Sequence, residues 1–322
     1  MIMKGARARW VMRVVALVVV TALLVTAARR LSFSRVLAEL VVVQPLWMAL
    51  ALLCFVSILP LWALQWRLLA TSTRTPRLRT MLGVVAMTST VLNTAPMLVG
   101  EAAGVYFLIV EAGLARGAAL SVLAMDQLFV GVAKVFVLAT AATLVVLPMW
   151  MARGAQALVV AVALLSASLV VVAWRAEPLS KRASRWIPAR LARLILTVGR
   201  ALEPVRSPTR STGALALALA KKLAEVLAIL CVQRAFGVEL SLGSAVLVLA
   251  ATNLATLLPI VPGNIGVYEA AVVLAYSSFG ISAERALGIA VVQHACFFVA
   301  LALPGYRWLA RSAATRAPEA AV

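Results

Sequence analysis

From Val41 to Trp66 the chain runs for 26 residues without a charged side chain. A helix of about 18–20 apolar residues suffices to cross the hydrocarbon layer of a bilayer. Further runs meet or approach that length: Val14–Ala28, Ala118–Trp150 with two charged interruptions, Ala155–Trp174, Gly213–Val232 and Ala286–Leu303. Composition agrees, with 64% apolar and 13% charged residues, against about half and about a quarter in a soluble domain. The expected fold class is an all-α polytopic membrane protein, a single transmembrane domain over residues 1–322 with about six full spans.

The formal charge of +19 raises the question of nucleic acid. Most arginines, however, lie between the apolar runs or at their ends, where cytoplasmic loops concentrate basic residues. The longest polar stretch, Arg175–Thr212, is too short for a basic soluble domain. Anionic lipid headgroups at the cytoplasmic surface are the expected partner of this charge, and nucleic acid is not. Cys54, Cys231 and Cys296 fall inside apolar runs, where thiols behave as small hydrophobes. A single histidine, His294, builds no zinc site by itself, so neither metal nor cofactor is expected. Arg29 and Arg30 follow the first apolar run with no small-x-small cleavage site before them, which favours an uncleaved first helix.

The arginines also orient the chain. Four basic residues lie in the N-terminus, four in the segment after the second span, nine from Arg175 to Arg210 and three in the C-terminal tail. All of these are expected on the cytoplasmic side, both termini included, in a bacterial inner membrane. Parity then constrains Met81–Glu111, which must return to the side it entered from. About 31 residues are too few for two full spans, which need roughly 40 plus a turn. A re-entrant hairpin fits, with its apex at Asn93–Gly100 around the helix breakers Pro96 and Gly100. The same reasoning makes Ser244–Ser278 a second broken hairpin, entering from the opposite face and interrupted between Pro259 and Gly266.

The hairpins share an ordered series. Pro96, Gly100, Gly104-Val105-Tyr106, Gly113-Leu114 and Ala119-Leu120 precede Pro259, Gly263, Gly266-Val267-Tyr268, Gly280-Ile281 and Ala286-Leu287. The offset drifts from 163 to 162 and then 167, as small insertions in a duplicated unit would make it. Chance among abundant Ala, Val, Leu and Gly is the competing explanation. Two inverted repeats, about 41–147 and about 213–304, are expected, with a cytoplasmic amphipathic segment about 175–212 between them. In that segment Leu191, Leu194, Ile195, Val198 and Leu202 make one helical stripe interleaved with Arg190, Arg193 and Arg200. Paired broken helices meeting at mid-membrane are a construction that transporters use for a substrate site.

Pro262-Gly263-Asn264-Ile265-Gly266-Val267-Tyr268-Glu269 resembles the second signature, Pro-Gly-Gly-x-Gly-x-x-Glu, of the flippase-like domain. This is also called the lysylphosphatidylglycerol synthase transmembrane region family. Asn264 replaces the usual second glycine. In the first signature Pro96, Gly100, Glu101 and Tyr106 fit, while Leu98 and Gly104 stand where arginines are common. The resemblance spans nearly the whole chain. It implies movement of a lipid or lipid-linked group between leaflets, with a phospholipid, polyprenyl-linked or hopanoid-type molecule as the membrane-lipid partner.

The candidate substrate-binding residues are Glu101, Glu269, Asn93, Asn264, Tyr106, Tyr268, Gly100, Gly263, Pro262, Gly266 and Asp126; no catalytic residue is assigned. Glu101 and Glu269 lead, because an ionised carboxylate in hydrocarbon is costly and faces a cavity or a partner. Capping of each one's own half-helix accounts for them equally well. Asn93, Asn253 and Asn264 fit the satisfaction of opened backbone better than headgroup contact. Tyr106 and Tyr268 suit either an interfacial anchor or a cavity wall. Asp126 and Lys134 share one helix face but are too far apart for a direct ion pair. Lys221 with Glu225 has i,i+4 spacing, and His294 reads as a buried structural residue. Enzymatic activity is not expected, since no Asp-x-x-Asp pair, Walker loop or Ser/His/Asp set occurs. A membrane-embedded transferase on a lipid-linked substrate and an accessory subunit of a membrane enzyme remain the alternatives.

Overall fold

The computed structural model describes residues 43–70, 75–95, 99–183, 207–257 and 261–316, with single positions 188, 196, 197, 199 and 202. The expected first span Val14–Ala28, Pro96, Leu98, Pro259 and most of the Leu191–Val198 stripe lie outside the described residues. Every regular element among the described residues is helical. In chain order they are α1 (Pro45–Leu69), α2 (Leu78–Thr94), α3 (Val99–Val110), α4 (Arg116–Leu144), α5 (Met149–Ala183) and α6 (Pro208–Ala235). There follow α7 (Leu242–Ala255), a short 3-10 turn Pro262–Asn264, α8 (Val267–Ser277), α9 (Ala283–Leu301) and α10 (Leu303–Arg316).

Four helical stretches are long and apolar enough to cross a membrane: Pro45–Leu69, Arg116–Leu144, Met149–Arg182 and Ala283–Ser312. Four such stretches fit a multi-pass membrane protein. α6 has 28 residues, hence the length, but Lys221, Lys222 and Glu225 interrupt its apolar character. Two expected boundaries shift. The run Ala118–Trp150 divides at Pro148, where a helix cannot continue unkinked, so Trp150 belongs to α5. α5 also passes the expected edge of the polar segment at Arg175, kinking there (φ −122°, ψ 22°) and continuing to Ala183.

α2 and α3 pack on each other as one helical hairpin, and α7 packs on α8 as another. At a rise of 1.5 Å per residue the four arms measure roughly 16–26 Å, each short of the roughly 30 Å hydrocarbon core. The order long helix, two short arms, long helix thus occurs twice, as α1–α4 and again as α6–α9. The leading helices of these two sets, α1 and α6, form the most extensive helix pair. Two apolar cores follow this division. One gathers Phe55, Trp66, Met81, Leu108 and Met125 around the first hairpin; the other gathers Phe236, Leu247, Val272 and Tyr276 around the second.

In lipid, helices gain little from hiding apolar surface from one another, and small residues set how closely they approach. α10 crosses α2 at such a point. A Cβ on Gly305 would collide with Thr90 Oγ1 and the Ala86 carbonyl, and Thr90 Oγ1 donates to the Ala302 carbonyl at 2.5 Å. Gly305→Leu is therefore expected to separate α10 from α2 and to destabilise the protein by about 1–3 kcal/mol, the usual cost of overpacking. Thermal unfolding in detergent micelles measures this, and an unchanged midpoint would contradict the close crossing.

Candidate functional site

The second hairpin breaks because three of four successive positions need a backbone that ordinary residues avoid. Gly263 (φ +61°), Asn264 (φ +54°) and Gly266 (φ +87°) all have positive φ. Asn is one of the few side-chain-bearing residues that tolerate this region, so it can stand where the family signature usually has glycine. The turn leaves the first N–H groups of α8 without helical partners. Glu269, at the third position of α8, reaches back so that its Oε2 accepts from the Gly266 N–H at 2.6 Å.

The other oxygen of Glu269 faces α9. His294 Nδ1 lies 2.6 Å from Glu269 Oε1, with the histidine side chain 6% and the glutamate 16% exposed. An ionised carboxylate only accepts, so the imidazole donates from Nδ1 in this contact. Tyr268 stacks on the His294 ring with centroids 4.2 Å apart, and its hydroxyl accepts from Gln293 Nε2 at 2.5 Å. Phe298 closes the other side of the imidazole at 5.1 Å. Glu269 is thus both a cap and one half of an inter-helix pair, which combines the two readings the sequence left open.

The turn of the second hairpin meets the end of α2 here. A Cβ at Gly263 would lie 2.9 Å from the Asn93 carbonyl oxygen at the end of α2, and would strike the Phe298 ring. Asn93 itself donates from Nδ2 to the Ser89 carbonyl at 2.8 Å, satisfying backbone at the end of its helix. Pro262 opens the 3-10 turn, and Gly100 packs α3 against Leu92 of α2. Glu101 stands in the first turn of α3 with Oε2 buried and, among the described residues, no hydrogen-bond partner. Among the described residues no hydrogen bond or ion pair joins Glu101 to Glu269. Tyr106 is 49% exposed, whereas Tyr268 is partly buried.

Asp126 lies elsewhere, in a buried group of charges shared by α1, α4, α6 and α7. Its Oδ1 is 3.6 Å from Lys221 Nζ, and its Oδ2 accepts from Trp62 Nε1 at 3.3 Å. Lys221 also stands over the Trp62 ring, 5.3 Å from its centroid. The expected Lys221–Glu225 pair is replaced by Lys222–Glu225. Lys222 Nζ donates to both Glu225 oxygens at 2.9 and 2.8 Å and to Asn253 Oδ1 at 3.2 Å. Both spacings put a lysine on the Glu225 face; Lys222 takes the carboxylate, while Lys221 turns towards Asp126 of α4. Snorkelling to the surface does not describe these lysines, which are 6% and 8% exposed. Glu225→Ala would leave an ammonium buried without its carboxylate. A loss of about 3–5 kcal/mol in unfolding stability is expected; a loss under about 1 kcal/mol in micelles would show that Lys222 finds water instead.

Sequence reasoning undervalued His294 and Gln293, whose neighbours come from a separate helix. Their spacing relative to Glu269 carries no local signal, although Tyr268-Glu269 and Gln293-His294 are adjacent polar pairs in otherwise apolar helices.

The chain matches the family model described as Lysylphosphatidylglycerol synthase TM region over residues 13–305. Neither the curated proteins nor the solved structures yield a match. With that match covering most of the chain, this protein belongs to the lysylphosphatidylglycerol synthase transmembrane region family.

Proposed function

We propose that this protein is a translocase rather than an enzyme, moving a lipid or lipid-linked molecule between the leaflets of a bacterial inner membrane. The two sets α1–α4 and α6–α9 are inverted repeats, and their short arms are re-entrant hairpins entered from opposite faces, with both termini cytoplasmic. The observation that carries this reading is the seat of Gly263 against the Asn93 carbonyl, where the turn of the second hairpin abuts the end of α2. Opened backbone inside a membrane is tolerated where protein or a cavity covers it. Buried polar groups gathered at such a junction suit a polar headgroup in transit, while its chains stay in lipid. Glu101, with an unpaired buried oxygen, and the Glu269–His294 pair are the groups a headgroup would meet.

Leaflet-resolved lipid translocation in proteoliposomes tests the function. Glu101→Gln and Glu269→Gln are each expected to slow transport at least tenfold, the effect of losing about 1.4 kcal/mol of interaction. Wild-type rates in both variants on a verified substrate would sink the site. Inversion is tested separately, in a protein whose three cysteines are replaced. Arg77→Cys, leading into α2, and Glu239→Cys, leading into α7, should react with an impermeant thiol reagent from opposite sides of the membrane. Labelling of both from one side would exclude inverted repeats.

A further inference from the structure

The one histidine of the chain is held so that a single ring nitrogen stays free. Tyr268 covers one face of the His294 imidazole at 4.2 Å, and Phe298 stands against the ring at 5.1 Å. Nδ1 is spent on Glu269 Oε1. Nε2 takes no hydrogen bond among the described residues, and 6% of the side chain stays accessible. That opening suits a proton delivered by one water.

Charge gives the free nitrogen a consequence. With the proton on Nδ1 and Glu269 ionised, the pair carries one negative charge. It lies about 16 Å from the start of α9, roughly half the hydrocarbon thickness. From α8 only Tyr268 and Glu269 face the imidazole. Arg67 stands near the end of α1, well past Phe55, where α1 meets Phe297 of α9. Arg79 of α2 is at the helix end remote from Asn93, and Arg307 and Arg311 of α10 are exposed. On α6, Lys222 is held by Glu225 and Lys221 by Asp126. Among the described residues no cation other than His294 pairs with Glu269. A net charge at that depth is costly, and one proton on Nε2 removes it.

The proton bonds to Nε2, the Nδ1 proton passes to Glu269 Oε1, and the pair ends neutral with the imidazole in its other tautomer. Two neutral partners bear a smaller desolvation penalty in lipid than an imidazolium beside a carboxylate. The transfer reaches the turn through the other carboxylate oxygen. Oε2 holds the Gly266 N–H at 2.6 Å, at a helix N-terminus that favours an anion. A neutral acid accepts that bond more weakly. Gly266 follows closely on Gly263, which is seated against the Asn93 carbonyl.

We infer that Glu269 and His294 form a proton-binding site, loaded through Nε2, whose loading releases the second hairpin from the end of α2 and makes the proton the coupling ion of translocation. The coupling role rests on the translocase reading above; the proton site does not.

A single histidine makes the site directly visible. The full chain, labelled with nitrogen-15 in its histidine and placed in nanodiscs, gives one pair of imidazole signals. Wild type should show Nδ1 protonated and Nε2 bare at about pH 8, and the reverse by about pH 5, the range in which imidazole titrates. Over the same range hydrogen exchange in α8, corrected for its intrinsic pH dependence, should quicken about tenfold while α1 stays unchanged. His294→Gln should abolish the exchange response. Glu269→Gln should hold the proton on Nε2 throughout and abolish the response too, which keeps the test open if His294→Gln folds poorly. An imidazolium protonated on both nitrogens would overturn the proton site, as would equal exchange responses in wild type and both variants. For the lipid verified in the translocation assay, an imposed gradient of one pH unit should skew the distribution between leaflets up to about tenfold in wild type, at one proton per lipid, and not in His294→Gln. An even distribution in wild type would overturn the coupling role and leave translocation standing.

Discussion

Glu269→Ala is expected to destabilise the second hairpin by about 3 kcal/mol. The substitution strands the partly buried Gly266 N–H, at a cost of up to about 1–3 kcal/mol, and removes the charge-assisted bond to His294. The loss should be local. Hydrogen exchange in nanodiscs should show the turn and α8, residues 261–277, opening more readily while α1 and α4 stay protected. Glu269→Gln differs in kind. Its amide oxygen still accepts from Gly266, and its NH₂ can donate to Nδ1 once the imidazole changes tautomer. Stability should then stay within about 1 kcal/mol of wild type, so a transport defect in that variant reports on charge rather than on fold. A double-mutant cycle with His294→Ala checks the contact itself. Coupling of about 1.5–3 kcal/mol is expected for a hydrogen bond to a charged group, and coupling near zero would remove the pair from the site.

Gly263→Val should have the largest structural effect at the junction, about 2–6 kcal/mol. Two causes combine: a β-branched residue forced to φ +61°, worth about 1–3 kcal/mol, and overpacking against the Phe298 ring and the Asn93 carbonyl, worth about as much again. Gly266→Val is the internal comparison. Its φ is +87°, but no atom lies within 4 Å of an added Cβ, so it carries the backbone strain alone. The excess cost at Gly263 therefore measures the overpacking against Phe298 of α9 and the end of α2 together. Unfolding in mixed micelles gives both values; equal losses in the two variants would mean that Gly263 is not closely packed there. Loss of translocation should follow the same order.

Much of this architecture was legible because bilayer physics leaves few options. Val41–Trp66 had to become a spanning helix, and α1 occupies nearly all of that run. Gly263 and Gly266 had to be turn positions, and they take the positive φ that makes glycine useful there. The charged residues were read less well. Lys221 and Glu225 have the spacing of a helical pair, yet Asp126 of another helix offers Lys221 a partner and Trp62 a ring. Tyr106 and Tyr268 hold matching sequence positions, but one is half exposed and the other is stacked on His294.

The sequence by itself determined that this chain lives in a membrane, where its helices break and which family it belongs to. Each of these depends on composition or on residues within a few positions of each other, because backbone hydrogen bonds must be satisfied locally in lipid. Only the tertiary structure decided where the turn of the second hairpin packs and how buried charges pair: Gly263 against Asn93, Glu269 with His294, Asp126 with Lys221. Those contacts join residues 25 to 170 positions apart. Inside lipid every apolar face is equally acceptable to its surroundings, so helix partners are chosen by close packing at small residues and by the need of each buried charge for a counter-charge. Neither preference leaves a periodic trace in the chain.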